Sequence, residues 1–245
     1  MVTEDSGMTR SEQIWTKEVD RPRSELSADT SEQEIRERLV QQLITAFGDL
    51  AKSGLFGAAA GDASVRIPGT DRILVTPHMP ILEQPRPGAL LEVALDGRVL
   101  GKRGHPTLDA QIHLAIYKQR PEAAAIVHVH APFATVLGIC ELPVPPVTFD
   151  AIPFMDIPRV PVCGLAGSQR AEEVAARLTD GAPAALLLHQ GIVTVGMDLR
   201  QAVRRAVELE ETARILVICQ LLNQIPVTVP GEVVEILKHG GYDCL

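Results

Sequence analysis

The segment that most limits what this chain can fold into is the short apolar run that starts at Ala123 and enters His128-Val129-His130. A run of this length, bounded by polar residues, reads as a buried strand. Alternate strand positions face the same way, so the two imidazoles project together. Such a pair can offer two neutral ring nitrogens to one metal, or it can sit in a core bonded to backbone carbonyls. The pair by itself does not choose between them.

The remaining pattern alternates strands with helices, which places the chain in the α/β class. Ile35, Leu39, Leu43, Ile44 and Phe47 fall at helical spacing between Ser31 and Lys52, with Thr30 or Ser31 as N-cap. Gly61 to Arg66 and Arg72 to Pro77 read as a strand hairpin turning at Gly69. Leu90 to Val99 turns at Asp96-Gly97, and Pro106 to Arg120 is predicted as a helix carrying Ile112, Leu114, Ala115 and Tyr117. Ser168 caps a helix through Leu178, Ala185 to His189 and Ile192 to Val195 form a hairpin across Gln190-Gly191, and Asp198 caps a long helix to Leu222. Residues 1 to about 30 are charged and lack apolar periodicity, so they read as a mobile arm ahead of one domain spanning 31–245.

A formal charge of −8 argues against a nucleic-acid partner, which needs a basic surface. No segment reaches the ~18 apolar residues of a membrane span, and the charged N-terminus does not read as a signal peptide. The four cysteines, Cys140, Cys163, Cys219 and Cys244, form no CxxC pair and read as reduced thiols. A cytoplasmic protein acting on a small molecule, without membrane or nucleic acid, is the expectation.

His189 strengthens the metal reading, because it ends the apolar run from Ala184 to Leu188 and so stands at another strand end. Three histidines with no fourth nearby leave a coordination position open, as catalytic sites require. One divalent ion, zinc, iron(II) or manganese, is therefore expected on His128, His130 and His189.

With these residues in place, the chain resembles the class II aldolase/adducin superfamily. Gly61-Asp62-Ala63-Ser64-Val65-Arg66 is similar to its Gly-Asn-x-Ser-x-Arg, and Ile73 to Pro77 to its Ile-Thr-Pro strand. Ile126 to Ala131 resembles the paired-histidine strand, and Ile112 to Pro121 the helix leading into it. His189-Gln190-Gly191, with Gly196 and Glu208 to Ala213, resembles the third-histidine strand and its helix. The resemblance implies a three-layer α/β/α fold with a central, mainly antiparallel sheet. It implies a homo-oligomer, commonly a tetramer with sites at subunit junctions, and a metal that polarises a substrate carbonyl or enediolate.

The departures concern substrate. Asp62 stands where the sugar-phosphate aldolases have Asn, His78-Met79 where they have Ser-Gly, and Thr107-Leu108 where they have Ser-Ser. A carboxylate beside a phosphate is repelled and Leu108 offers no donor, so a sugar phosphate is not expected as substrate. Asp109 takes the place of the catalytic Glu, one methylene shorter, and can also be read as a helix cap. Phe149 aligns with a proton-donating Tyr and cannot donate. Arg66, His78, Arg103 and His105 are candidates for a substrate carboxylate, alongside Asp62 and Phe149 in the binding site. The proline-rich segment from Pro143 to Pro161 reads as subunit interface rather than pocket wall, and Tyr242 as part of a frayed tail.

Three functions compete. The first is a carbon–carbon lyase, by retro-aldol cleavage or decarboxylation, acting on a non-phosphorylated 2-oxo or hydroxy acid. The second is a non-heme iron(II) oxygenase of the aminocoumarin-pathway kind, decarboxylating an arylpyruvate or mandelate oxidatively. The third is an adducin-like interaction module without chemistry, against which the three retained histidines speak.

Overall fold

The apolar run becomes the centre of the sheet. The structure, a computed structural model, describes residues 31–55, 61–78, 86–101, 104–161, 167–178 and 181–240. It divides into two compact units, residues 1–35 and 36–245, and the sheet belongs wholly to the second. The helices are α1 (Glu32–Lys52), α2 (Ala110–Gln119), α3 (Pro132–Ile139), α4 (Gly167–Arg177), α5 (Leu199–Leu221) and α6 (Gly231–Gly240). The strands are β1 (Asp62–Arg66), β2 (Arg72–Val75), β3 (Leu91–Ala94), β4 (Val99–Leu100), β5 (Ala125–Val129), β6 (Arg159–Pro161), β7 (Ala184–Leu188) and β8 (Gly191–Gly196). Short 3₁₀ turns occupy Pro87–Ala89 and Phe149–Phe154.

The eight strands run β4-β3-β2-β1-β5-β8-β7-β6, and only the β6–β7 ladder is parallel. This is the mainly antiparallel α/β sheet expected. Period-two alternation then decides what shares a face. Asp62 pairs with His128, and His128 with Val193, so all three point to one side. On that side Ile73, Val75, Ile126, Val193, Val195, Ala185 and Leu187 pack against Ile112, Ile116 and Tyr117 of α2 and Ala171 and Val174 of α4. Each fully buried Ile, Leu or Val is worth roughly 1.5–3 kcal/mol, so this layer holds α2 and α4 firmly over the sheet. The opposite face meets α5, where Thr194 Oγ1 donates to the Ala202 carbonyl at 2.8 Å. Asp198 caps α5 as expected, its carboxylate accepting from the Gln201 N–H at 2.7 Å.

Two boundaries differ from the sequence reading. The helix expected from Pro106 begins at Ala110, because residues 105–107 stay extended: His78 N–H donates to the His105 carbonyl and Thr107 N–H to the Thr76 carbonyl. That extension carries the Thr107 hydroxyl to Asp62. The second concerns His189, expected in a strand. It lies in the turn after β7 with φ +69, and Gly191 opens β8 instead of turning the chain. Two short helices, α3 and α6, and strand β6 were not anticipated.

Gly191 has a reason to be glycine. Its φ is +110, and a Cβ there would stand 2.2 Å from the Val129 carbonyl oxygen and 2.8 Å from the His130 Cα. The β7–β8 turn is thereby pressed against the backbone of His130. Gly191→Ala must push the two apart and bear left-handed strain of about 1–3 kcal/mol. A lowered melting temperature together with a ~10²-fold loss of turnover is expected, because displacements near 1 Å cost that much at a reacting site. Calorimetry and steady-state kinetics on the one variant check both.

Candidate active site

At the C-terminal end of β5 the sheet brings together residues far apart in sequence. His128 is 1% exposed, and its Nδ1 lies 3.5 Å from Asp62 Oδ2 and 3.4 Å from Asp109 Oδ2. Asp62 comes from the neighbouring strand and Asp109 from the residue just before α2. His130 follows the strand, half-buried, with its ring centroid 5.1 Å from that of His128. His189 is exposed in the turn that abuts the His130 backbone. Among the described residues, the set of three whose ligand atoms lie within 4.8 Å of one another is Asp62, Asp109 and His128. As placed, His130 and His189 flank this set rather than complete it.

Each carboxylate is held on its far side. Asp62 Oδ1 accepts from His113 Nε2 at 2.7 Å and Oδ2 from the Thr107 hydroxyl at 2.8 Å. His113 in turn lies 2.6 Å from Ser64 Oγ, which is 3.0 Å from the Tyr117 hydroxyl. Asp109 receives Arg170 Nη2 on Oδ1 at 2.8 Å and Gln190 Nε2 on Oδ2 at 3.2 Å. Burying an unpaired carboxylate costs several kcal/mol, so these donors are what allow two acids in one interior.

Charge follows from this packing. Burial alone would raise the Asp62 pKa, but His113 and His128 overcome it and hold the group far below the carboxylate range. Burial depresses His128, and the two carboxylates outweigh that and raise it. His130 moves downward, through burial and then through His128 beside it.

The other sequence candidates divide. Asp109 occupies the N-cap position of α2 yet its side chain makes no capping bond, so the helix-cap reading does not hold. Arg66, expected to meet a substrate carboxylate, instead donates to the carbonyls of Tyr117 at 2.8 Å and Ala123 at 3.1 Å, and lies over the Tyr117 ring. Its guanidinium braces β1 against α2. Asp62, placed in the substrate pocket by sequence, is 6% exposed with both oxygens engaged. His78 and His105 are exposed neighbours on the extended segment, and Phe149 is 55% exposed. Arg103 and Tyr242 lie outside the described residues.

Arg170, Gln190 and His113 were not singled out by sequence. His113 had a signal, a polar ring among the apolar residues of a helix opposite the unusual Asp62. Glu210 is a fourth: 4% exposed, it accepts from the N–H groups of Phe133 and Ala134 and so fixes the start of α3 just past His130. Burial raises its pKa against the pull of those two donors.

The donors suit a divalent ion. Both ring nitrogens of His128 are buried without a hydrogen-bond partner, a condition rare in protein interiors and relieved when an imidazole nitrogen ligates a metal. Oxygen and imidazole donors together match zinc, manganese or iron(II). A cleft of about 660 Å3 lined by Ile152, Arg177, Pro183 and Lys238 lies at the opposite end of β7 and has no part in this cluster. No helix among the described residues is long and apolar enough to cross a membrane.

Comparison with known proteins agrees with this layout. The model of the family described as "Class II Aldolase and Adducin N-terminal domain" matches residues 41–217. A 5-methylthioribulose-1-phosphate/5-deoxyribulose-1-phosphate aldolase of Rhodospirillum rubrum is 33% identical over 175 residues, 70% of this chain and 76% of the relative. A 3-oxo-tetronate 4-phosphate decarboxylase of Haemophilus influenzae is 34% identical over 164 residues, 64% of this chain and 76% of that protein. The solved structure of an L-fuculose 1-phosphate aldolase superposes with a TM-score of 0.73 at 25% identity, covering 83% of this chain and 95% of its own. The family match over most of the chain, the sequence relatives and the superposition agree: the chain belongs to the class II aldolase and adducin N-terminal domain family.

Proposed function

We propose that this chain is a metal-dependent carbon–carbon lyase, cleaving by retro-aldol reaction or decarboxylation a non-phosphorylated 2-oxo or hydroxy acid. The observation that carries the reading is Asp109. It stands 3.4 Å from His128, does not cap its helix, and has both oxygens oriented by Arg170 and Gln190. An acid held this way is placed for proton transfer, not for helix stability. His128, His130 and His189 are the residues that would hold the ion; His189, exposed in the β7–β8 turn, would have to turn inward to join the other two.

When bound, the ion supplies Lewis acidity that draws the negative charge developing on a substrate oxygen. Asp109 would take the hydroxyl proton in a retro-aldol cleavage and pass it to the enediolate carbon. In a decarboxylation, with the oxo group β to the departing carboxylate, it would begin protonated and give that proton to the carbon from which carbon dioxide has left. Relatives named as aldolases and as a decarboxylase support both routes. His78, His105 and Phe149 form the rim against which the substrate rests. The chain acts as a homo-oligomer, with a tetramer as the expected state. Exposed Leu221, Ile225 and Val227, 75–95% accessible at and beyond the end of α5, supply apolar surface for it.

The phosphates in the relatives' names do not carry over to this chain. Leu108, at a position where those aldolases have a hydroxyl, is 74% exposed and gives no donor. A second reading, the iron(II) oxygenase, has one observation in its favour: two carboxylates stand beside His128, so imidazole and carboxylate donors are both available.

Purification without oxygen, elemental analysis and a screen of 2-oxo acids test the proposal. Turnover with zinc or manganese and no oxygen uptake is expected, with none on fuculose 1-phosphate or rhamnulose 1-phosphate. Iron with stoichiometric oxygen uptake puts the oxygenase in its place. Efficient turnover of either sugar phosphate, abolished by His189→Ala, overturns the substrate class.

A further inference from the structure

The buried chain behind His128 invites a hydrolytic comparison. Ser64, His113 and Asp62 are spaced at 2.6 and 2.7 Å, as in a serine–histidine–aspartate relay. Yet Ser64 and His113 are each 0% exposed, under α2 and within the sheet. No substrate carbonyl reaches that hydroxyl, so the relay is not a nucleophile. One end meets the buried Tyr117 hydroxyl, and the other is Asp62, which faces His128.

We propose that Asp62 is a positioning carboxylate for the metal site. Braced by His113 and Thr107, it fixes the ring of His128 and raises the affinity of the site for a divalent ion without ligating it. The proposal rests on the reading that the ion binds at His128. Asp62 and His128 are direct cross-strand partners on adjacent central strands, so their separation is set by the sheet and not by flexible side chains. Asp62 Oδ2, 3.5 Å away, lies on the Nδ1 side of the ring. Asp109 Oδ2 stands on that same side at 3.4 Å, so Nδ1 faces the two carboxylates and Nε2 is the nitrogen we assign to the ion.

The brace explains why the acid can act at a distance. An ionised carboxylate only accepts, so His113 Nε2 and the Thr107 hydroxyl both donate, one to each oxygen. With two donors from different segments, the carboxylate cannot rotate away from the ring. A carboxylate facing the second nitrogen of a metal-bound histidine orients it and increases its basicity, and losing one costs ~10–100-fold in metal affinity. An asparagine at the same place fits the space without the charge.

The test measures binding, not catalysis. Zinc affinity is read by competition with a chromophoric chelator, and the ligand set by the absorption bands of the cobalt(II)-substituted protein. Asp62→Asn is expected to weaken zinc ~10–100-fold and to leave the cobalt bands in place. His113→Gln, which does not touch His128, should act in the same direction, and the double variant should fall short of the sum because both work through one carboxylate. Thr107→Val removes the other donor and serves where Asp62→Asn does not fold. Unchanged affinity in folded Asp62→Asn, with a wild type that binds one zinc, overturns the proposal alone. Loss beyond ~10³-fold with shifted cobalt bands overturns it too, and makes Asp62 a ligand. A wild type that binds no zinc, cobalt, manganese or iron overturns it together with the metal reading.

Discussion

His128→Ala is expected to release the metal and abolish turnover. His128 contributes the one imidazole that lies both within the buried carboxylate cluster and against His130. Charge stabilisation by a metal is worth several kcal/mol at the transition state, so turnover should fall ~10³-fold or more. The variant also removes the ring nitrogen that both Asp62 and Asp109 face, leaving two buried acids close together without it. Their repulsion should lower the melting temperature beyond what a lost ring alone costs. His128→Gln, which keeps most of the volume, separates the two effects: metal and turnover stay lost while stability partly returns. Elemental analysis of each purified variant decides the matter, and stoichiometric metal in His128→Ala sinks the site assignment.

Much of this arrangement is written in local pattern. Alternation in Gly61 to Arg66 and short apolar runs in Arg72 to Pro77, Ala123 to Val129 and Ala184 to Val195 mark strands, and with them the face shared by Asp62 and His128. Aspartate at residue 198 before a long amphipathic stretch announces α5 and its cap. Where local pattern fails, a long-range bond has won. Thr107 cannot enter a helix while its N–H is bonded to Thr76 and its hydroxyl to Asp62. Pro132 to Ile139 has no polar stripe to betray a helix, because α3 lies against both α5 and the sheet. His189 looks like a strand residue until its left-handed backbone, a conformation histidine adopts more often than most, ends the strand there. Arg170 and Gln190 reach Asp109 from 61 and 81 residues away, a distance that no spacing rule spans.

Asp109→Asn carries the second large effect. Asparagine is nearly isosteric but takes up no proton at neutral pH, so loss of a positioned acid–base group should lower turnover ~10²-fold or more. The structure adds a stability cost absent from the sequence argument. The Arg170–Asp109 contact is 2.8 Å long with side chains 22% and 11% exposed, and the neutral amide leaves that guanidinium without its counter-charge. The melting temperature should therefore drop by a few degrees, the shift that roughly 1–2 kcal/mol produces in a domain of this size. Arg170→Met in the Asp109→Asn background should restore part of it, since the unmatched charge is then gone too. Metal content separates the chemistries. Unchanged content with lost turnover makes Asp109 the proton carrier of a lyase. Content that falls with turnover makes it a ligand, giving the imidazole-and-carboxylate set of a non-heme iron enzyme. Full turnover in a folded Asp109→Asn variant removes the acid from both mechanisms and shifts the search to another group at the rim.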